Sequence, residues 1–324
     1  MSTPRRYFKE LRFRQLRALV LLARKGSFSA VAKALGISVP SAWQQIRSLE
    51  DEFSVPLVQA TGQSGVLTEQ GEQLVQIAQP LVEGFEQVRE LFSERLRTLP
   101  RRIAVATTSS LLLHELQRPL ALIRQQQPDL EMTFLDRPST IARKHLENGD
   151  ADVAILGRLG EEPFPRLEWT PLTAYPFVLV CPEGHPLLQA RSLKCGDLIR
   201  HPLLMPGEGS NSRRQVEEVL SAAGLWPKTR VALTASSFDI VAAYVRHGFG
   251  IAVTSVSPMI LRAITEHHPN YQGIAFRDLS ALFGREEVVI ARRRNRHELP
   301  HHRKFRETVV EVLGQKSAPG EAQK

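Results

Sequence analysis

Residues 26–53, GSFSAVAKALGISVPSAWQQIRSLEDEF, constrain this chain more than any other stretch, because they spell two short helices joined by a tight turn. Phe28, Val31, Ala32 and Leu35 recur at helical spacing, and Gly36 then stops the first helix. Ser38 is an N-cap for the second, and Pro40 falls in its first turn, where a missing N–H costs little. That helix buries Ala42, Ile46, Leu49 and Phe53 and turns Ser41, Trp43, Gln44 and Arg47 outward. A helix with one apolar side and short polar or cationic groups on the other fits a DNA major groove. An ordinary pair of core helices would show the same periodicity, so charge has to decide.

The chain carries 42 Lys+Arg against 34 Asp+Glu, a net charge of +8. Residues 1–50 hold ten basic residues and only two acidic ones, Glu10 and Glu50, so this segment contains the whole excess. Positive charge concentrated on a helix-turn-helix pattern is the footprint of a polyanion partner, and it favours DNA binding.

At 324 residues and 42% hydrophobic, the chain can build two or three cores. No apolar run approaches the roughly 18 residues of a membrane span, and the basic N-terminus lacks an apolar signal core, so a cytoplasmic protein is expected. Two cysteines, Cys181 and Cys195, make neither a disulfide framework nor a structural zinc site. No phosphate loop, nucleophile elbow or metal motif appears, so no cofactor, metal or catalytic residue is expected.

A first helix is predicted over about Arg12–Arg24. Leu57–Val58 and Val66–Leu67 flank the turn-rich TGQSG and read as a small two-stranded wing, with Gln63 or Ser64 at its tip near a phosphate. Thr68 caps a long helix to about Arg97. Leu74, Leu81 and Val88 recur every seven residues beside a row of Ala78, Phe85 and Phe92, a stripe that needs a partner helix; Pro80 and Gly84 should kink or weaken its middle.

From Arg101 the texture alternates between strand and helix, which implies a mainly parallel sheet. Strands are predicted at Ile103–Thr107, Met132–Leu135, Val153–Leu156, Phe177–Cys181, Leu203–Met205, Val231–Leu233, Ile251–Val253 and Val288–Arg292. Helices are predicted at Leu111–Gln126, Ser139–Asn148, Asn211–Ala223, Phe238–Arg246 and His301–Leu313. Two α/β units joined near Leu172–Phe177 leave a crevice at the carboxyl ends of their strands. The basic run Arg292, Arg293, Arg294 and Arg296, with His297, His301 and His302, reads as a solvated or subunit-contacting segment. Gly314–Lys324 reads as a disordered tail.

KGSFSAVAKALGIS with PSAWQQIRSLE, then VLTEQG, LENGDADVAILG, CPEGHPLL and VRHGFGIAV follow one another in an order that resembles the LysR-type transcriptional regulators, over residues 10 to about 313. The resemblance implies an all-α winged helix-turn-helix domain (1–67), a linker and dimerisation helix (68–99), and a two-lobed α/β effector domain of the type II periplasmic-binding-protein kind (100–313). Lobe I would comprise 100–173 and 272–313, and lobe II 174–271. The implied partners are double-stranded operator DNA, a small-molecule co-inducer, a second copy through 68–97, a tetramer, and RNA polymerase, with no membrane.

The DNA-reading set expected is Ser27, Ser38, Val39, Pro40, Ser41, Trp43, Gln44, Arg47 and Gln63. This chain departs from the family pattern there. Val39, Trp43 and Phe53–Ser54 replace a usual Gln, Ser and Leu-Gly pair, and Leu57-Val58-Gln59-Ala60 lacks the usual wing arginine. Trp43 could touch a sugar or thymine methyl, or fold back onto the wing.

Members of the family bind effectors between the lobes, which points here to Thr107, Thr108 and Ser109, to Arg137 and Ser139, and to Gly157 and Arg158 in lobe I. In lobe II it points to Ser210, Asn211 and Arg213 and to Thr234 and Ser236. Hydroxyls beside helix N-termini, with arginines near, favour a small anion. Two alternatives stand beside this reading: a ligand-binding or enzymatic α/β protein with a degenerate DNA domain, and a redox regulator using the thiol of Cys195 beside Lys194.

Overall fold

The computed structural model describes residues 11–61, 64–96, 100–160, 166–294 and 296–314. They form two compact units, one from the first 99 residues together with residues 295–297, and one comprising Pro100–Arg294 and Glu298 onward.

In the first unit, α1 (Phe13–Lys25), α2 (Phe28–Leu35) and α3 (Val39–Phe53) precede the wing strands β1 (Val58–Thr61) and β2 (Ser64–Leu67) and the long α4 (Glu69–Leu96). Local chemistry fixes each boundary. Gly26 and Gly36 end α1 and α2 in the left-handed region, at φ 71° and 65°. The Ser27 and Ser38 hydroxyls accept from the Ala30 and Ser41 N–H groups. Ser54, at the family's usual glycine position, is itself left-handed, at φ 54°. Glu50 joins α3 to the wing by accepting from the N–H groups of Leu57 (2.8 Å) and Val58 (3.1 Å). Thr68 caps α4 as expected, accepting from Gly71 N–H and donating to Pro56 O.

Leu19, Leu22, Phe28, Val31, Ile46 and Leu49 are buried together with Val75, Ala78 and Val82 of α4. The long helix therefore packs on its own unit as well as presenting a stripe. Ala78 is buried and Leu74 partly so, whereas Ile77, Leu81, Phe85, Val88, Phe92 and Leu96 are each more than half exposed. Arg17 and Arg24 of α1 pair with Glu86 and Glu83, and the Phe13 and Phe85 rings lie 4.1 Å apart. The helix continues through Pro80 as one element.

The second unit begins with β3 (Arg102–Thr107), α5 (Ser109–His114), α6 (Gln117–Gln126), β4 (Glu131–Asp136), α7 (Ser139–Asn148), β5 (Val153–Leu159) and β6 (Leu167–Pro182). It continues with α8 (Pro186–Gln189), α9 (Cys195–Leu198), β7 (Leu203–Pro206), α10 (Asn211–Ala222), β8 (Val231–Ala235), α11 (Phe238–Arg246) and β9 (Ile251–Ser255). It closes with α12 (Pro258–Thr265), β10 (Ile274–Asp278), α13 (Ser280–Phe283), β11 (Arg285–Arg293) and α14 (Pro300–Gly314).

The strand order is β4-β3-β5-β11-β6-β9-β7-β8, with β10 also on β6. β3 lies parallel to β4 and β5, and β7 parallel to β8 and β9. The expectation of a mainly parallel sheet is corrected by β6, β10 and β11, whose pairings are antiparallel. β6 is shared between the lobes. Its first part pairs with β11 up to Pro176, and its second pairs with β9 and β10 from Phe177 onward. Leu167–Tyr175 is strand as well, held by the β11 ladder although Thr170, Pro171 and Thr173 interrupt its apolar residues.

Two more boundaries move. The helix expected over Leu111–Gln126 is two helices, broken after His114. β10, placed with lobe I in 272–313, pairs with the lobe II half of β6, and Ile274 is buried with Val178 and Val180. Most of the basic run is built into the fold, while Arg294 and His297 are exposed. Arg293 is buried and donates to the Leu146 and Ala151 carbonyls, Arg292 pairs with Glu168, and the His301 and His302 rings both lie against Arg102 O. The tail beyond Gly314 and the wing tip at Gln63 lie outside the described residues.

Candidate functional site

In the second unit, four helix N-termini open onto one cavity of about 480 Å³. Thr108–Ser110 start α5, Pro138–Ser139 start α7, Ser210–Ser212 start α10 and Ser236–Phe238 start α11. The caps consume only part of the hydroxyl supply. Thr108, Ser210 and Ser237 accept from N–H groups of Leu111, Arg213 and Asp239. Ser139 instead accepts from Gly157 N–H, and Ser109 donates to the Asp136 carboxylate.

The floor of the cavity is Glu286, 7% exposed, at the start of β11. Asn211 Nδ2 donates to its Oε1 (3.0 Å) and to Gly157 O (2.7 Å), and Ser255 meets its Oε2. Burial pushes this carboxyl up from its ordinary value of 4.5, against the hydrogen bonds from Ser255 and Asn211 and the charge of Arg214. Gly157 is required by this contact: a Cβ there would lie 1.7 Å from Glu286 Oε1. Two bridges cross between the lobes at the rim. Thr140 Oγ1 donates to Gly209 O (2.8 Å), and His114 Nε2 lies 3.3 Å from Asp239 Oδ2. The hydrogen bond with His114, helped by those from Tyr271 and Ser237, outweighs burial and holds the Asp239 carboxyl down to about 2.

Of the expected effector residues, Thr108, Ser109, Arg137, Ser139, Gly157, Ser210, Asn211 and Ser236 line the cavity. Four do not. Thr107 is buried beneath it, its carbonyl accepting from Arg137 N–H. Arg158 is turned away over the Trp169 ring (4.3 Å) and paired with Glu287. Arg213 pairs with Glu217 and reaches Thr234 Oγ1 at 3.5 Å, outside the cavity lining. The residues missed include Glu286, Tyr175 and Ser255. A period-two signal was available, since Glu286, Val288 and Ile290 alternate along one strand and the latter two are core.

In the first unit, α3 buries Ala42, Ile46 and Leu49 and leaves Ser38, Val39, Pro40, Ser41, Gln44 and Arg47 exposed. Phe53, expected in the core, is 43% exposed. Ser27 is half-buried as the cap of α2. Trp43 is half-buried and stacked on Phe28, with centroids 3.8 Å apart and planes 10° apart. It folds back onto α2 instead of standing free on the reading face.

Residues 13–72 match the bacterial regulatory helix-turn-helix protein, lysR family, and residues 97–314 match the LysR substrate binding domain. The chain belongs to the LysR family of transcriptional regulators. The RuBisCO operon transcriptional regulator of Allochromatium vinosum is 26% identical over 302 residues, 92% of this chain and 95% of that one. The regulator CbbR of Xanthobacter flavus is 27% identical over 75% of this chain and 72% of its own. A full-length OxyR variant from Pseudomonas aeruginosa shares the fold, with a TM-score of 0.61 at 24% identity over 94% of each chain. This LysR-type chain is a DNA-binding regulator with a ligand-responsive domain, in a family of regulators rather than enzymes. Among the described residues no helix is long and apolar enough to cross a membrane.

Proposed function

We propose that α3 enters the major groove of an operator and that Ser38, Val39, Pro40, Ser41, Gln44 and Arg47 meet DNA, with Ser27 and the wing tip at Gln63 against phosphates. The observation that carries this is the clean division of α3 into a buried apolar side and an exposed side ending in the cation Arg47. Gel-shift titration of fragments flanking the protein's own gene, at two salt concentrations, tests it. Retention should weaken steeply with salt, and Arg47→Ala should cost about 1–3 kcal/mol of binding. Salt-independent retention, or full affinity in that variant, would refute the assignment.

Two copies pair through α4, whose exposed row Ile77, Leu81, Phe85, Val88, Phe92 and Leu96 advances by steps of three or four residues. Leu81→Glu buries a charge in that seam and should convert a dimer to monomer in sedimentation, with α1–α3 still folded. Tetramer formation and contact with RNA polymerase at the promoter complete the proposal, and reading chromosomal DNA places the protein in the cytoplasm.

The effector is a small anionic metabolite in the cavity between the lobes, held by Thr108, Ser109, Arg137, Ser139, Ser210, Asn211 and Ser236 at convergent helix N-termini. The thiol-switch alternative finds no support: burial pushes Cys181 up to about 11 and also raises Cys195, which disfavours the reactive thiolate in both.

A further inference from the structure

The side chains lining the cavity would by themselves oppose an anion. Asp136, Glu208 and Glu286 face it with Arg137 as the cation among the lining residues. Ser109 offsets part of this by donating to both oxygens of Asp136. Glu286 is different, because it lies at the floor on a hydroxyl relay. Ser255 Oγ contacts Glu286 Oε2, Ser212 Oγ lies 2.6 Å from Ser255 Oγ, and Ser212 also accepts from Ser255 N–H at 3.2 Å. Ser212 lines the cavity.

The hydrogen-bond inventory allows this relay two directions. With Glu286 ionised, Ser255 donates to the carboxylate, Ser212 donates to Ser255, and Ser212 keeps one lone pair for the cavity. When solvent supplies a proton to Oε2, the carboxylic acid donates to Ser255, which then donates to Ser212. Both lone pairs of Ser212 are then filled, by Ser255 N–H and Ser255 O–H, and its proton is free to point into the cavity. We propose that Glu286 determines effector specificity through this relay: with its proton the floor donates a hydrogen bond, without it the floor accepts one, and a carboxylate effector binds with uptake of one proton. This rests on the anionic reading of the cavity given above.

The surroundings agree. Tyr175, opposite Glu286 on β6, is held well above its ordinary value of 10, first by burial and then by Glu115 and Glu286, so it stays neutral. Arg214 approaches from α10 behind Asn211, at 3.5 Å from Asn211 Oδ1. On β5, Arg158 is committed to Glu287, and β9 contributes Thr254 and Ser255. No histidine is among the residues lining the cavity. The same acid is also an interlobe pin, since Asn211 and Ser255 belong to lobe II while Glu286 and Gly157 sit on lobe I strands.

Thermal melts of the full-length protein test this, first without ligand. A carboxyl raised by folding gives stability that is complete below about pH 4.5 and is lost as pH rises through the raised value. Glu286→Gln should therefore gain on wild type as pH rises above 4.5; a difference between the two proteins that does not change with pH would overturn the relay. Succinate and aspartate, which differ by one ammonium group, then serve as probes. Succinate should raise the wild-type melting point at pH 6 and lose up to about tenfold in affinity per pH unit above the Glu286 midpoint. Ser212→Ala removes one of the hydrogen bonds that lower the Glu286 carboxyl, so it should move the ligand-free pH profile to higher pH and lose that pH-dependent response to succinate. Stabilisation by aspartate in place of succinate, growing with pH, overturns the proposal through its anionic premise, because an ionised Glu286 would then pair with the ammonium. A succinate response indifferent to pH would leave the anionic reading standing and overturn the role of Glu286.

Discussion

Trp43→Ser, which restores the residue usual in the LysR family, is expected to destabilise the N-terminal unit by about 2–3 kcal/mol, the cost of opening a cavity beside a large buried ring. Trp43 covers the face of Phe28, itself 1% exposed, and Phe28 in turn approaches the wing: a Cβ on Gly65 would lie 2.8 Å from its ring. Losing the indole leaves Phe28 without its stacking partner and loosens the contact between α2 and the wing. The measurement is the lower thermal transition of the intact protein beside a gel-shift titration. Melting should fall, and DNA affinity measured well below the transition should change little. Unchanged melting with a large loss of affinity would identify Trp43 as a DNA contact instead of an internal brace.

Gly157→Ala is expected to cost about 3 kcal/mol, at the upper end for overpacking, because the added carbon would meet Glu286 Oε1, Cδ and Cγ at 1.7, 2.5 and 2.9 Å. The carboxylate has no easy retreat while Asn211 and Ser255 hold its two oxygens. Removing the obstruction should remove most of the penalty. Gly157→Ala combined with Glu286→Ala should therefore be more stable than the two separate losses predict, a coupling that a double-mutant cycle reads directly. Simple additivity would show that the clash is relieved elsewhere.

Local chemistry made the helix-turn-helix legible: Gly26, Gly36, Ser27, Ser38 and Thr68 act in the structure as helix stops and caps, the roles that their types favour. Ser139–Asn148 and Phe238–Arg246 were readable to the residue for the same reason, a clear start signal and a 3.6-residue apolar period. Parts of β6 and β11 were readable as strands, but their antiparallel direction was not, since the direction of a strand is set by distant partners and leaves no mark in its own composition. The site divides likewise. Hydroxyls at helix starts announced themselves, whereas Arg158 and Arg213 could not be told from ligand-facing arginines until Trp169, Glu287 and Glu217 were seen to occupy them. Glu286 lies in an alternating row whose other members, Val288 and Ile290, are core, and a buried charge in such a row is what marks it as a site residue.

The chain passes between the lobes twice, at Pro176–Phe177 and at Gly284–Arg285, and these passages are neighbours, with Phe177 N–H 3.4 Å from Gly284 O. Because they are adjacent, the two crossings lie on one line between the lobes, and a rotation about that line would displace the rim, where Thr140 meets Gly209 and His114 meets Asp239, farther than it would displace Glu286.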